Sequence, residues 1–110
     1  MKYVIRPAAR DDIIRQFRYY LVTENAPDAA FRFLDAVDDS IEQLLPLPHA
    51  GVPRYSKNPA LEGLRSWPVK GFEDIRIYYL LLPNVLRVVR VLHGRRDVQG
   101  ILARESEGDE

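Results

Sequence analysis

Between Gly63 and His93 the chain carries three runs of high β-propensity, Gly63 to Lys70, Ile75 to Leu82 and Val85 to His93, separated only by short turn segments. A parallel neighbour needs a crossover of about a dozen residues, so strands this closely spaced fold back on one another antiparallel. Whatever else the chain forms must pack on that sheet. Pro83-Asn84 divides the last two runs. Pro at the first position does not suit a type I′ or II′ turn, so a loop slightly longer than two residues is expected there.

The preceding half supplies helices. Lys2 to Arg6 reads as a short strand stopped by Pro7. From Ala8 or Ala9 to about Glu24, Ile13, Phe17, Tyr20 and Leu21 recur at helical spacing, with Arg10, Asp11, Arg15 and Arg18 on the other side. Asn25 is a candidate cap, and Pro27 suits the first turn of a second helix. Ala30, Phe33, Leu34, Val37, Ile41, Leu44 and Leu45 mark its apolar stripe, and Pro46 and Pro48 end it. Pro46 to Ala60 is loop-like and long enough to cross to the sheet. Asp97 can cap a short last helix reaching about Arg104, weakened by Gly100. The expectation is a two-layer α+β domain of order β-α-α-β-β-β over residues 1–104, with a helical hairpin on a mainly antiparallel sheet. Residues 105–110 are small, polar and acidic and are expected to stay disordered.

At 110 residues this is one domain, able to bury roughly 65% of its extended surface. It has no cysteine, which excludes disulfides and thiolate metal sites. The two histidines, His49 and His93, are far apart without matched acids, so no metal and no cofactor is expected. No segment approaches the roughly 20 apolar residues of a membrane span, which fits a cytoplasmic protein with no membrane partner. Net charge is zero, yet it is segregated. From Leu64 to Arg104, Arg65, Lys70, Arg76, Arg87, Arg90, Arg95, Arg96 and Arg104 face only Glu73, Asp74 and Asp97. A basic sheet of that kind suits an anionic ligand or an acidic partner.

The last two strands are apolar on both faces. Ile75, Ile77, Tyr79 and Leu81 alternate with Arg76, Tyr78, Leu80 and Leu82; Val89, Val91 and His93 fall with Arg87, and Leu86, Val88 and Leu92 with Arg90. Two helices cover one face only. The other is closed either by a partner or by loop and terminus, and since the available covers are a Pro-rich loop and a short tail, a partner interface is expected. Trp67 and the tyrosines Tyr19, Tyr20, Tyr78 and Tyr79 are explained by packing. Asp11, Asp12, Asp35, Asp38, Asp39 and Glu42 read as solvated helix faces.

Several segments together resemble the ParE branch of the RelE/ParE toxin superfamily. They are Pro7-Ala8-Ala9, Asp12-Ile13, Tyr19-Tyr20, Ala29-Ala30, Leu44 with Pro48-His49-Ala50-Gly51, Gly63 through Glu73, Tyr78-Tyr79 and Arg90 through Asp97. The resemblance implies the toxin of a type II toxin–antitoxin module, neutralised by a ParD-like antitoxin in a hetero-oligomer. It implies inhibition of DNA gyrase by binding and trapping cleaved DNA, with nucleic acid met only through gyrase and no bond made or broken by the toxin. On that reading Arg65, Arg76, Arg87, Arg90, Arg95, Arg96, Tyr78 and Leu80 are candidates for target or antitoxin contact. RelE-type relatives are ribosome-dependent mRNA endoribonucleases; the positions of their catalytic Arg and Tyr fall here at Gly94 and Gly100, so a nuclease would need His93 or Tyr79 as substitute acid or base. A third alternative is a degenerate, non-toxic member acting only as antitoxin partner.

Overall fold

Pro7 separates the first two elements of the computed structural model, which describes residues 1–105. Lacking an N–H, it suits the first turn of a helix, and so β1 (Lys2–Ile5) gives way at once to α1 (Pro7–Arg18). The helix then widens into a π-helical turn, Tyr19–Thr23, where Glu24 N–H reaches back to the Tyr19 carbonyl at 2.9 Å. Asn25 takes a positive φ of 50° between this turn and α2 (Pro27–Leu44). Its contribution is thus the left-handed bend of the link, which Asn tolerates better than most residues, and the expected side-chain cap is absent from α2.

Two short pieces follow inside the Pro-rich segment, β2 (Val52–Pro53) and a 3₁₀ turn at Pro59–Leu61. Then come β3 (Arg65–Val69), β4 (Phe72–Leu82), β5 (Val85–His93) and α3 (Val98–Ala103). The sheet order is β1-β5-β4-β3-β2, with β1 parallel to β5 and every other pair antiparallel. Both hairpin loops are tight. Val69 pairs with Phe72 across Lys70-Gly71, and Gly71 adopts the φ of +83° that such a turn demands. Leu82 pairs with Val85, so Pro83-Asn84 forms a two-residue loop where a longer one was expected. Asn84 accommodates it with φ +63° behind Pro83, the φ pattern of a type II turn.

The hairpin of α1 and α2 covers one face through Ala9, Phe33, Val37, Ile41 and Leu44, which meet Val69, Ile75, Ile77, Tyr79, Leu86, Val88 and Val91. Tyr20, Phe33 and Phe72 extend this core with mutual ring contacts at 5.5–5.8 Å. Ser40, buried on α2, accepts a hydrogen bond from Lys70 N–H at 2.9 Å and fixes the helix against the β3–β4 turn.

The opposite face is where expectation and structure part. Leu61, Leu64, Tyr78, Leu80, Val89 and Leu92 pack there with Ile101 and Leu102 of α3, so the chain closes this part of the face itself. Asn58 welds the two covers together. Its Nδ2 donates to the carbonyls of Leu102 (3.0 Å) and Glu105 (2.9 Å), while Oδ1 accepts from Ala60 N–H. Asp97 caps α3 as expected, accepting from Gly100 N–H. Glu105 therefore belongs with the folded part, although the sequence groups it with the acidic tail; residues 106–110 lie outside those described. A bulge also changes the face assignment of β5. Tyr78 pairs with Arg90 but Tyr79 with Val88, leaving Val89 extra, so Val89 and Val91 end in different cores although they were expected on one face.

Tyr79 joins sheet to loop. Its hydroxyl donates to the Pro48 carbonyl (2.7 Å) and accepts from Gly51 N–H (3.0 Å), and a Cβ on Gly51 would run into that hydroxyl. Tyr79→Phe leaves the buried Gly51 N–H and the partly buried Pro48 carbonyl without this partner, an expected loss of about 1–3 kcal/mol, read as a lower urea midpoint. Burial raises the phenols of both Tyr78 and Tyr79 above their ordinary value; Arg54 and Arg76 oppose this for Tyr78, and Gly51 N–H and Arg65 for Tyr79. The folded chain thus keeps protons that the unfolded chain releases near pH 10, and stability should fall as pH rises through that point. Tyrosinate absorbance under native conditions should lag that of the denatured chain, and a superposable pair of titrations would refute the assignment.

Candidate functional site

β5 is longer than the strand beside it. β1 pairs with it only as far as Ile5 opposite Val88, after which Arg6 N–H makes one last bond to the Val88 carbonyl. Beyond that point α1 lies along the edge, and the Asp12 carboxylate takes the place of a strand by accepting Val91 N–H at 3.0 Å. Arg90 clasps the same carboxylate with a two-pronged fork, Nε to Oδ2 and Nη2 to Oδ1, both at 2.7 Å. Its Nη1 reaches Glu105 at 3.3 Å, and Arg96 stands 3.9 Å from Asp12. Asp12 is only 4% exposed, which corrects its expected place on a solvated helix face. The Asp12 hydrogen bond holds the Arg90 guanidinium above its ordinary value in spite of burial. Arg90, a candidate for partner contact, spends its side chain inside the fold.

The other candidate residues separate into distinct environments. Arg65 donates from Nη1 to the carbonyls of His49 and Gly51, at 3.0 and 2.8 Å, and so braces the loop that Tyr79 also holds. Tyr78 and Leu80 are buried in the core beneath α3. Arg87 is partly buried and sits across from Leu80 in the β4–β5 register. Arg76 shares the Ser66 hydroxyl with Arg54, a residue the sequence did not single out. Tyr79, one alternative acid or base, is fully enclosed with its hydroxyl engaged twice.

Arg95, Arg96 and His93 come together at the end of the sheet facing the π-helical turn. With Gln16, Tyr19, Tyr20 and Glu24 they line a cleft of about 380 Å³. Tyr20 and His93 also border a second cleft of about 350 Å³, completed by Gly71, Phe72, Glu73, Asp74 and Ile75. The π-helical turn carries the two tyrosines into this position, and such turns recur at functional sites. Tyr19 donates to Glu24 at 3.1 Å, and that bond raises its phenol pKa; for Tyr20, burial is the larger cause of a rise. His93 Nδ1 accepts the Arg95 N–H at 3.1 Å, which leaves Nε2 as its free ring nitrogen for other contacts. The groove is aromatic, with cations at one end and the acids Glu24, Glu73 and Asp74 along it, a lining suited to a peptide surface of mixed charge. Among the described residues no group of three or more His, Cys, Asp or Glu could hold a metal ion. Nor is any helix of the described residues long and apolar enough to cross a membrane.

A five-stranded sheet with a helical hairpin on one face and a terminal helix on the other defines a small α+β domain. The model of the family "ParE toxin of type II toxin-antitoxin system, parDE" matches residues 3–98, and the chain belongs to that family. It is the toxin member of a type II toxin–antitoxin system. Among solved structures, it is similar to a chain of the chromosomal ParDE TA system from P. aeruginosa, at 15% identity and a TM-score of 0.65, over 84% of this chain and 95% of that one. No curated protein matches it.

The Asp12–Arg90 fork makes a stability prediction. Asp12→Ala leaves the largely buried Arg90 with Glu105 alone and orphans Val91 N–H, and should cost about 3–5 kcal/mol in urea denaturation. A loss under about 1 kcal/mol, the range of exposed pairs, would show the fork to be peripheral.

Proposed function

We propose that the free protein inhibits DNA gyrase by binding it and trapping cleaved DNA, and that a ParD-like antitoxin encoded beside it neutralises it by binding. The match to the ParE toxin family over residues 3–98 carries this reading. The groove of Tyr19, Tyr20, His93, Arg95 and Arg96 supports it as a contact surface, since it offers aromatic and cationic groups of the kind enriched in protein interfaces. The chemistry is binding alone. A nuclease would need both an acid and a base free to reach RNA; the Tyr79 hydroxyl is spent between Pro48 and Gly51, which leaves only His93 of the two substitutes. We assign the protein to the cytoplasm, where gyrase and its DNA are found.

The test is gyrase supercoiling of plasmid DNA with and without the purified protein, followed by detergent and protease. Linear DNA should accumulate and the antitoxin should suppress it. A folded chain that leaves gyrase untouched would sink the target assignment. Among variants, Arg95→Glu should reduce linear DNA about tenfold or more at unchanged thermal stability.

A further inference from the structure

Arg54 and Arg76 approach one another on the part of the sheet that α3 leaves open. Arg54 continues the β2–β3 pairing by donating its N–H to the Leu64 carbonyl at 2.8 Å. Ser66 faces Tyr78 in the β3–β4 register, and Arg76 lies two residues from Tyr78 on the same strand face. The buried Ser66 hydroxyl accepts from Arg54 Nε at 2.8 Å and from Arg76 Nε at 3.0 Å. One hydroxyl thus orients two guanidinium groups by their inner nitrogens, leaving the terminal nitrogens of both without a hydrogen bond to the described residues. No carboxylate of the described residues pairs with either. That is unlike Arg90, whose charge is met by Asp12 and Glu105. Burial, and after it the Arg54 cation, pulls the Arg76 guanidinium below its ordinary value, as expected for two like charges held together without an anion.

We infer that Arg54, Arg76 and Ser66 form an oxyanion-binding site whose ligand is a carboxylate side chain of the antitoxin. This rests on the antitoxin reading given above and adds a place and a chemistry to it. Guanidinium forks match carboxylates in two-point geometry, and a pair already fixed on Ser66 loses little freedom on binding. The surroundings favour a peptide. Val52 and Tyr55, which flank Arg54 in the sequence, are 49% and 79% exposed and offer apolar surface on the same segment. A nucleic acid would need a longer basic track; here exposed Glu62 lies in the cleft beside Arg54 and the chain carries no net charge.

The experiment has two independent arms, both on the full chain. In the first, the Nε–H resonances of Arg54 and Arg76 are followed by NMR while acetate, inorganic phosphate or a single-stranded oligonucleotide is added. Acetate and phosphate should shift both resonances together, and Ser66→Ala should abolish the joint response; unmoved resonances would overturn the site. Tighter binding of the oligonucleotide than of phosphate would reassign it to nucleic acid. A shift produced by deleting residues 106–110 would instead assign it to the chain's own tail, with Glu107, Asp109 and Glu110 as the ligands. In the second arm, affinity for the antitoxin is compared between wild type and R54Q/R76Q, which should bind about tenfold or more weakly and with a shallower salt dependence. Equal binding overturns the carboxylate assignment while the antitoxin reading stands. If the wild type does not bind the antitoxin, the partner reading fails and takes the carboxylate assignment with it, while the NMR arm still decides whether the site binds oxyanions.

Discussion

A single carboxylate solves a problem of strand length. β1 is four residues and β5 nine, so the outer edge of β5 beyond Val88 has no strand to satisfy it. Asp12 satisfies Val91 N–H from a helix, but doing so buries a charge, and a buried charge persists only when it is paired and fully hydrogen-bonded. Arg90 meets both needs and, through Glu105, extends the link to the segment after α3. Helix, sheet and C-terminal segment are thus joined through two side chains seventy-eight positions apart. Arg90 lies where β5 bulges against Tyr78 and Tyr79, so the same irregularity that sorts Val89 and Val91 into different cores adjoins the ion pair.

What the sequence disclosed followed from periodicity and punctuation. The helical stripes, Pro7, Pro27 and the Asp97 cap set the elements of the hairpin and of α3, and the β-rich runs set three strands. Features lacking a period were not legible. β2 is two residues, one of them Pro, too little for any alternation to register. Closure of the second face depends on a six-residue helix containing Gly100 and on a three-residue 3₁₀ turn, neither long enough to show an apolar stripe. What makes them a cover is Asn58, whose partners lie forty-four and forty-seven residues away. The bulge in β5 leaves no mark in a run of Val, Leu and Arg, and the face assignment of Val89 fails there.

The candidate residues show the same division more sharply. An arginine looks alike in sequence whether it faces solvent or a buried carboxylate. Arg65 and Arg90 are held by loop carbonyls and by Asp12, whereas Arg95 is exposed beside Tyr19 and His93. Asp12 and Tyr19-Tyr20 did carry a signal, since they are among the segments that resemble the family. Their roles need the fold. The π-helical turn that brings the tyrosines to His93 has no composition of its own, and Arg54 is set against Arg76 only by the two-residue strand before it.

The segregation of charge along the chain consequently does not produce a uniformly basic face. Folding returns acids from the N-terminal half to the cationic half, Asp12 to Arg90 and Glu24 to the groove of Arg95 and Arg96. Desolvation makes that exchange necessary for the largely enclosed Arg90 and unnecessary for the exposed Arg95 and Arg96. What remains are two local concentrations of cation at different places on the sheet, one beside aromatic rings and one bound to Ser66 and paired with no carboxylate of the described residues. Two separated cationic points, each next to apolar side chains, can select a partner by the spacing of its acidic groups, a stricter requirement than attraction to a diffuse field.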